Sequence, residues 1–138
     1  MSDRTPDIDA VPDMKLELVP VPVSDVDRAK AFYVDKVGFN LDFDVNEDEG
    51  VRIIQLTPPG SACSIVIGTG LGEISEMKPG TVKGLHLVVK DIRKSHEILV
   101  SRGVKMGEVI EYPRGIKFAR FSDPDGNVLM LQEIPPDL

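Results

Sequence analysis

VSDVDRAKAFYVDKVGF, residues 23–39, is the stretch of sequence that decides the predicted fold. It follows KLELVPVPV, residues 15–23, whose weak alternation of apolar and polar side chains is typical of a strand. Ser24 or Asp25 is suited to cap the start of a helix, and Gly38 marks the end of that helix. Apolar positions at helical spacing predict that one helical face lies on a sheet. That face consists of Val26, Ala29 and Tyr33.

Three short apolar segments after this helix are predicted to be strands. They are residues 39–45, 51–57 and 62–68. The sequence NEDEG separates the first two segments and PPG the last two, and Asn, Gly and Pro favour tight reversals of the chain. Residues 69–82 are rich in glycine and contain a proline, so they are predicted to be a crossover.

The order of elements then repeats at an offset of 66 residues, which maps Asp25 onto Asp91 and Pro58 onto Pro124. The same offset places VPVPV on LHLVV, DVDRAKAFYV on DIRKSHEILV and TPPG on DPDG. We therefore predict an α+β fold of two βαβββ modules within one domain, residues 15–138. The modules span residues 15–68 and 83–134, and residues 1–14 are predicted to be a mobile tail. An α+β domain with accidental internal similarity is the alternative.

Composition limits the classes of function that are open to the chain. Hydrophobic residues make up 41% and charged residues 28% of the 138 positions, which is typical of a folded domain. Neither a membrane span nor a secretion signal is expected, because apolar runs are short. The net charge of −7 disfavours nucleic acid and anionic membranes as partners and would suit a cationic small molecule. Cys63, the lone cysteine, is expected to be a buried structural thiol and favours a cytoplasmic location.

The sequence resembles the glyoxalase, bleomycin-resistance and extradiol dioxygenase superfamily, also called the vicinal oxygen chelate superfamily. The resemblance rests on VSDVDRAKAFYVDKVGF, on LVVKDI and on FSDPDGNVLMLQEI, and it covers residues 15–134. It implies a glyoxalase-like fold, in which the sheets of the two modules curl around a cavity. It also implies a homodimer, because the cavity in this family is commonly completed by a second chain.

Metal-dependent members of this family place four ligands, typically His, Glu or Gln, in the first and last strands of the two modules. Counting back from the capping aspartate of each helix puts Leu18 and Gly84 at the two first-strand positions. Counting forward from each proline-glycine turn puts Ser64 and Met130 at the two last-strand positions. None of these side chains suits the divalent ions of the family, which prefer imidazole and carboxylate. The sequence thus predicts no metal cofactor, and a bound divalent metal is the alternative.

His86 is the strongest candidate for a functional side chain in the predicted cavity. It lies two residues after Gly84, and alternation along a strand directs both residues to one face. A strand histidine with a purely local hydrogen bond is the alternative. Glu133 is expected on the opposite face as a solvated carboxylate, and His96 is expected to be exposed on the second helix. The predicted cavity lining is Leu18, Pro20, Pro22, Ala62, Ser64, Val66, Gly84, His86, Val88, Val128, Met130 and Gln132.

Three functions follow from these expectations. The first is metal-independent binding of a small organic ligand in an apolar cavity, which is the usual form of a small-molecule site. The second is a metal-dependent lyase, isomerase or dioxygenase of the glyoxalase kind. The third is a metal-free enzyme that uses His86 as a base, assisted by Arg120 or Tyr112. No Trp, two Tyr and five Phe predict limited stacking on a planar ligand.

Overall fold

The computed structural model describes residues 10–138, apart from the side chain of Glu47. Module one contains β1 (Leu18–Pro20), α1 (Val26–Ala31), β2 (Asn40–Asp48), β3 (Val51–Thr57) and β4 (Ser64–Thr69). The crossover contains the single turn α2 (Glu73–Glu76). Module two contains β5 (Lys83–Val88), α3 (Ile92–Ser101), β6 (Ile110–Glu111), β7 (Lys117–Ser122) and β8 (Val128–Glu133). The tail predicted at residues 1–14 lies mostly outside the described residues.

Each module forms its own four-stranded mixed sheet, and the two sheets have equivalent strand orders. The order is β1-β4-β3-β2 in module one and β5-β8-β7-β6 in module two. The first and last strands of each module pair in parallel, and the remaining pairs are antiparallel. This arrangement confirms the predicted α+β fold of two βαβββ modules in one chain.

The α1 helix begins and ends as its sequence predicts. The side chain of Asp25 accepts a hydrogen bond from the backbone N–H of Arg28 at 3.0 Å and is the N-cap. Ser24 has a different role, because its hydroxyl donates to Asp125 of module two. The helix continues as a π-helical segment, Phe32–Val37, and ends at Gly38 with φ of 93°. Glycine adopts this left-handed conformation without steric cost.

Helices and sheets of both modules share one hydrophobic core. The predicted helical face is correct, because Ala29 and Tyr33 are fully buried and Val26 packs against the core. Phe32 contacts Phe121 of module two, with ring centroids 6.4 Å apart. Most of the buried strand residues lie on the helix side of each sheet and include Ile54, Leu56, Ile65, Ile67, Phe121, Leu129 and Leu131. Ser64, Val66 and Val128 are buried on the opposite face. Cys63 is only half-buried, so the expectation of a buried thiol is wrong.

A buried polar cluster joins the DPDG turn of module two to the strand–helix junction of module one. Tyr33 Oη donates to Asp123 Oδ2 at 2.8 Å, and Asn127 Nδ2 donates to the carbonyl of Pro22 at 2.8 Å. Asp123 Oδ1 accepts the backbone N–H groups of Asp125 and Asn127, as expected for a turn-forming aspartate. We call Tyr33, Asp123 and Asn127 the module clamp.

The first strands of the two modules do not follow the 66-residue offset that relates the other elements. Leu18 pairs with Ser64, whereas the residue that pairs with Met130 is His86. His86 is therefore the structural equivalent of Leu18, and the assignment of Gly84 to that position is wrong. The shift arises because three residues separate Val21 from the Asp25 cap, but only one separates Val89 from the Asp91 cap.

Gly84 occupies a bulge instead, with φ of 84°, between Lys83 and Leu85. A bulge adds one residue to its strand without a partner on the neighbouring strand. Within residues 10–138, no helix is long and apolar enough to cross a membrane.

Candidate functional site

Each sheet buries one face in the core and leaves the other without a helix, and we call the latter its open face. The open face of module one carries Leu18, Pro20, Ser64 and Val66. The open face of module two carries His86, Val88, Val128, Met130 and Gln132. These residues fall on the face that alternation predicts, but as two groups on separate sheets. Pro22 is buried beyond β1, and Ala62 is exposed before β4.

A polar network that sequence reasoning missed lies on the open face of module one. Asp42 Oδ2 accepts hydrogen bonds from Thr57 Oγ1 and, at 3.1 Å, from Gln55 Nε2. Because a carboxylate oxygen only accepts, the hydroxyl proton of Thr57 goes to Asp42, and Ser64 Oγ must donate to Thr57 Oγ1 at 2.6 Å. These bonds to Thr57 and Gln55 lower the pKa of Asp42. Alternation along β3 was the signal that places Gln55 and Thr57 together.

An aromatic cluster lies on the open face of module two. The rings of His86 and Phe118 meet edge to face with centroids 5.6 Å apart, and Phe118 meets Tyr112 in the same way at 5.6 Å. Tyr112 is 49% exposed, and the neighbouring Val88 and Ile110 are 65% and 51% exposed. Sequence reasoning missed Phe118, although alternation on β7 places it on the same face as Arg120; in the structure it pairs with Gln132.

His86 has one imidazole nitrogen committed and one available. Its Nδ1 lies 2.6 Å from the carbonyl oxygen of Gly84. Since a carbonyl oxygen only accepts, Nδ1 carries the proton, and Nε2 of the neutral ring is a hydrogen-bond acceptor. The side chain is exposed, so Nε2 is accessible from the open face. The local hydrogen bond of the alternative interpretation is therefore present, and it engages only one of the two ring nitrogens.

The residues at the four family metal positions do not fit a divalent metal. By strand register these positions hold Leu18, Ser64, His86 and Met130, which supply one imidazole and no carboxylate. The hydroxyl proton of Ser64 is already donated to Thr57. Among residues 10–138, side chain of Glu47 excepted, no cluster of three His, Cys, Asp or Glu is placed to hold a metal.

Two further titratable side chains have structural roles. Glu133 lies on the face opposite His86, as predicted, but it is bonded rather than simply solvated. It accepts the backbone N–H of Ile92 at 2.8 Å and Lys117 Nζ at 3.2 Å, and these bonds lower its pKa. His96 is half-buried, not exposed, because its Nε2 donates to the carbonyl of Gly107 at 2.8 Å.

A small opening connects His86 with the turn of module one. A cavity of about 310 Å³ is lined by His86, Val88 and the turn residues 58–61. A neighbouring cavity of about 280 Å³ is lined mainly by apolar side chains of both modules. They include Val37, Phe39, Leu87, Ile98 and Leu131. The His86 edge of β5 therefore borders an apolar crevice between the modules.

Comparison with known proteins identifies the protein family of this chain. The sequence profile of the Glyoxalase/Bleomycin resistance protein/Dioxygenase superfamily matches residues 15–131. The chain belongs to this superfamily.

Three individual proteins are similar to this chain over most of its length. The structure of TnmS3, an antibiotic binding protein from Streptomyces sp. CB03234, is 36% identical with a TM-score of 0.79, and the match covers 91% of this chain and 100% of TnmS3. A glyoxalase/bleomycin resistance protein from the same organism is 39% identical with a TM-score of 0.72, covering 85% of this chain and 98% of that protein. The uncharacterized protein YetH of Bacillus subtilis (strain 168) is 30% identical over 118 residues, covering 83% of this chain and 94% of YetH.

Proposed function

We propose that this protein binds a small, largely planar organic ligand on its open faces, without a metal. The observation that carries the proposal is the cluster of His86, Phe118 and Tyr112, in which His86 and Tyr112 are exposed and Phe118 is half-buried, beside other exposed apolar side chains. Clusters of this kind on an uncovered sheet face are typical of interaction sites. The similarity to TnmS3, an antibiotic binding protein, supports the same class of function.

The chemistry of the cluster indicates the kind of ligand. Aromatic contacts of this geometry contribute about 0.5–1.5 kcal/mol per pair beyond the burial of apolar area. Tyr112 Oη and His86 Nε2 supply polar contacts at the two ends of the cluster. The net charge of −7 over the whole chain favours the approach of a neutral or cationic ligand over that of an anionic one.

We also propose that the protein is a cytoplasmic homodimer in which the open face of module one covers that of module two in the other chain. Each open face alone leaves apolar side chains in water, such as Phe43 at 41% and Val88 at 65% exposure. The two faces carry opposite charges, because Asp42 lies on the first and Arg120 on the second. Such pairing would place the ligand between the two modules of different chains.

The experiment is a thermal-shift screen of planar aromatic antibiotics, run with and without a chelator. We expect at least one compound to raise the melting temperature saturably and equally in both conditions, because ligands that bind the native state stabilise it by mass action. Phe118→Ala should weaken the binding of that compound by about tenfold. Ile74→Ala, which changes an exposed residue of α2, should leave its binding unchanged. A screen without any shift, or a shift that the chelator abolishes, would contradict the proposal.

Catalysis by His86 as a general base is a second candidate, favoured by its accessible Nε2. Arg120 lies on the same face, since it pairs with Met130 and Met130 pairs with His86. A ligand bound over the aromatic cluster would bring an acidic proton within reach of Nε2 and a developing negative charge near Arg120. If turnover of a bound compound is found, His86→Ala should lower kcat by at least about 100-fold. Unchanged kcat would exclude this role.

A further inference from the structure

A third cavity, of about 500 Å³, lies at the seam between the modules. We call it the seam cavity. Module one contributes Phe32 and Lys36 from the end of its helix, and module two contributes the turn after α3 and one end of β7. Its apolar lining comes from Phe32, Met106 and Phe121. The volume lies within the range that small-molecule sites occupy.

Two lysines from different modules give this cavity a positive charge. Lys36 and Lys105 both line it and are both exposed. Lys36 lies over Gly103, where an added β-carbon would be 3.9 Å from Nζ. Among the side chains described within residues 10–138, neither lysine takes part in an ion pair.

The negative groups nearby already have hydrogen-bond donors from the protein. Carbonyl groups at a helix end carry partial negative charge, which would oppose an anion. Here Arg102 donates from Nε to the carbonyl of Lys36 at 2.7 Å and from its terminal nitrogen to that of Asp35 at 2.8 Å. The carboxylate of Asp123 is nearly buried and accepts four hydrogen bonds. Their donors are Tyr33 Oη, Asn127 N, Asn127 Nδ2 and Asp125 N.

We infer that the seam cavity binds a small aryl carboxylate. Lys36 and Lys105 hold the carboxylate, and the ring packs against Phe32, Met106 and Phe121. The charge of this ligand class is opposite to that expected on the open faces. The reason is that Lys36 and Lys105 make the seam cavity locally positive, although the chain has a net charge of −7. Since its lining comes from both modules, an occupant also stabilises the seam.

Benzoate is the probe, titrated into the ¹⁵N-labelled full chain and followed by the backbone amide signals of Gly103 and Gly107. We expect saturable shifts at both residues and at least tenfold weaker binding of benzyl alcohol and benzylamine, which share the ring but lack the negative charge. The double variant Lys36→Gln with Lys105→Gln should bind benzoate about tenfold more weakly, because two charge-assisted contacts are lost.

The matched control is Lys78→Gln with Lys94→Gln, which removes the same charge from exposed positions that do not line the cavity. This control variant should bind benzoate with an affinity within twofold of that of the wild type. Benzoate that shifts neither glycine amide, benzyl alcohol that binds as tightly as benzoate, or an equal loss in the control variant would each overturn the inference. Because all four lysines are exposed, both double variants should keep the wild-type melting temperature, which confirms that they are folded.

Discussion

Arg114 is the one residue other than glycine with a positive φ, 76°, among the described residues. It lies in the loop between β6 and β7, two residues after Tyr112 of the aromatic cluster. The left-handed conformation costs an L-residue roughly 1–2 kcal/mol, and strain of this kind is often retained near functional sites. The loop keeps its shape through hydrogen bonds from Tyr112 N to Ile116 O at 2.8 Å and from Gly115 N to Tyr112 O at 3.1 Å.

We predict that Arg114→Gly raises the free energy of unfolding by about 0.5–1 kcal/mol, because glycine adopts this φ without the steric cost. Urea denaturation monitored by circular dichroism measures the change. Arg114→Ala is the matched control, since it removes the same charge but keeps a β-carbon, and it should give no gain. Equal stabilisation by both variants would attribute the effect to charge rather than to φ.

At the same scale, sequence reasoning located most open-face residues but misplaced one functional position. Period-two alternation correctly placed Ser64 and Val66 on one face of β4, and Met130 and Gln132 on one face of β8. Strand geometry alone determines which residues of a strand share a face. The length of the connection from strand to cap is not visible in such a pattern. The two-residue difference before Asp91 therefore hid the equivalence of His86 and Leu18. Glu133 and His96 were misjudged because their partners, Ile92 N and Gly107 O, depend on tertiary contacts.

At the scale of elements, the module clamp connects the π-helical segment after α1 with the turn before β8. Tyr33 is fully buried, and burial beside Asp123 raises its pKa far above the ordinary 10.0. The phenol thus stays protonated in the folded state and donates to the Asp123 carboxylate. A hydrogen bond to a charged acceptor in such a site contributes about 1.5–3 kcal/mol.

We predict that Tyr33→Phe lowers the free energy of unfolding by about 1–3 kcal/mol at pH 7, measured by urea denaturation. Tyr112→Phe should change it by less than about 0.5 kcal/mol, because Tyr112 is half-exposed. A cost for Tyr33→Phe no larger than that of this control would argue against the clamp.

The pH dependence of the clamp follows from the sign of the same pKa shift. A folded-state pKa above the unfolded value of 10.0 gives stability that is fully present below pH 10.0 and is lost as pH rises further, because only the unfolded chain releases the proton. The advantage of wild type over Tyr33→Phe should therefore shrink in denaturation curves measured above pH 10.0.

Elements whose signals are local were predicted well, and those that depend on packing were not. The cap, helix and exit of residues 25–38 carry their own start and stop signals, so their bounds could be predicted. The turn expected from NEDEG is shorter, because β2 continues to Asp48 by pairing with β3. The one-turn α2 helix within the crossover follows Gly72, and no capping side chain marked it in advance.

At the scale of the whole molecule, each sheet has one face that no helix covers, and the proposed dimer would bring these faces together. An internal repeat predicts two sheets, but it does not predict which charges lie on which face. The structure separates them, with Asp42 held by Gln55 and Thr57 on one face and Arg120 on the other. In a two-fold dimer, pairing of unlike faces occurs twice, so each charged contact also counts twice.

We predict that Arg120→Asp or Asp42→Arg alone raises the dissociation constant of the proposed dimer at least tenfold, because each places like charges at two equivalent contacts. Combining the two changes should restore much of the affinity, since the charges are then exchanged rather than opposed. Sedimentation velocity at micromolar protein measures the result. Asp42→Asn, which keeps the size of the side chain, separates loss of the hydrogen bonds to Thr57 and Gln55 from repulsion and should weaken the dimer less than Asp42→Arg. A monomeric wild type, or a double variant as weak as the sum of its parts, would show that these faces do not meet.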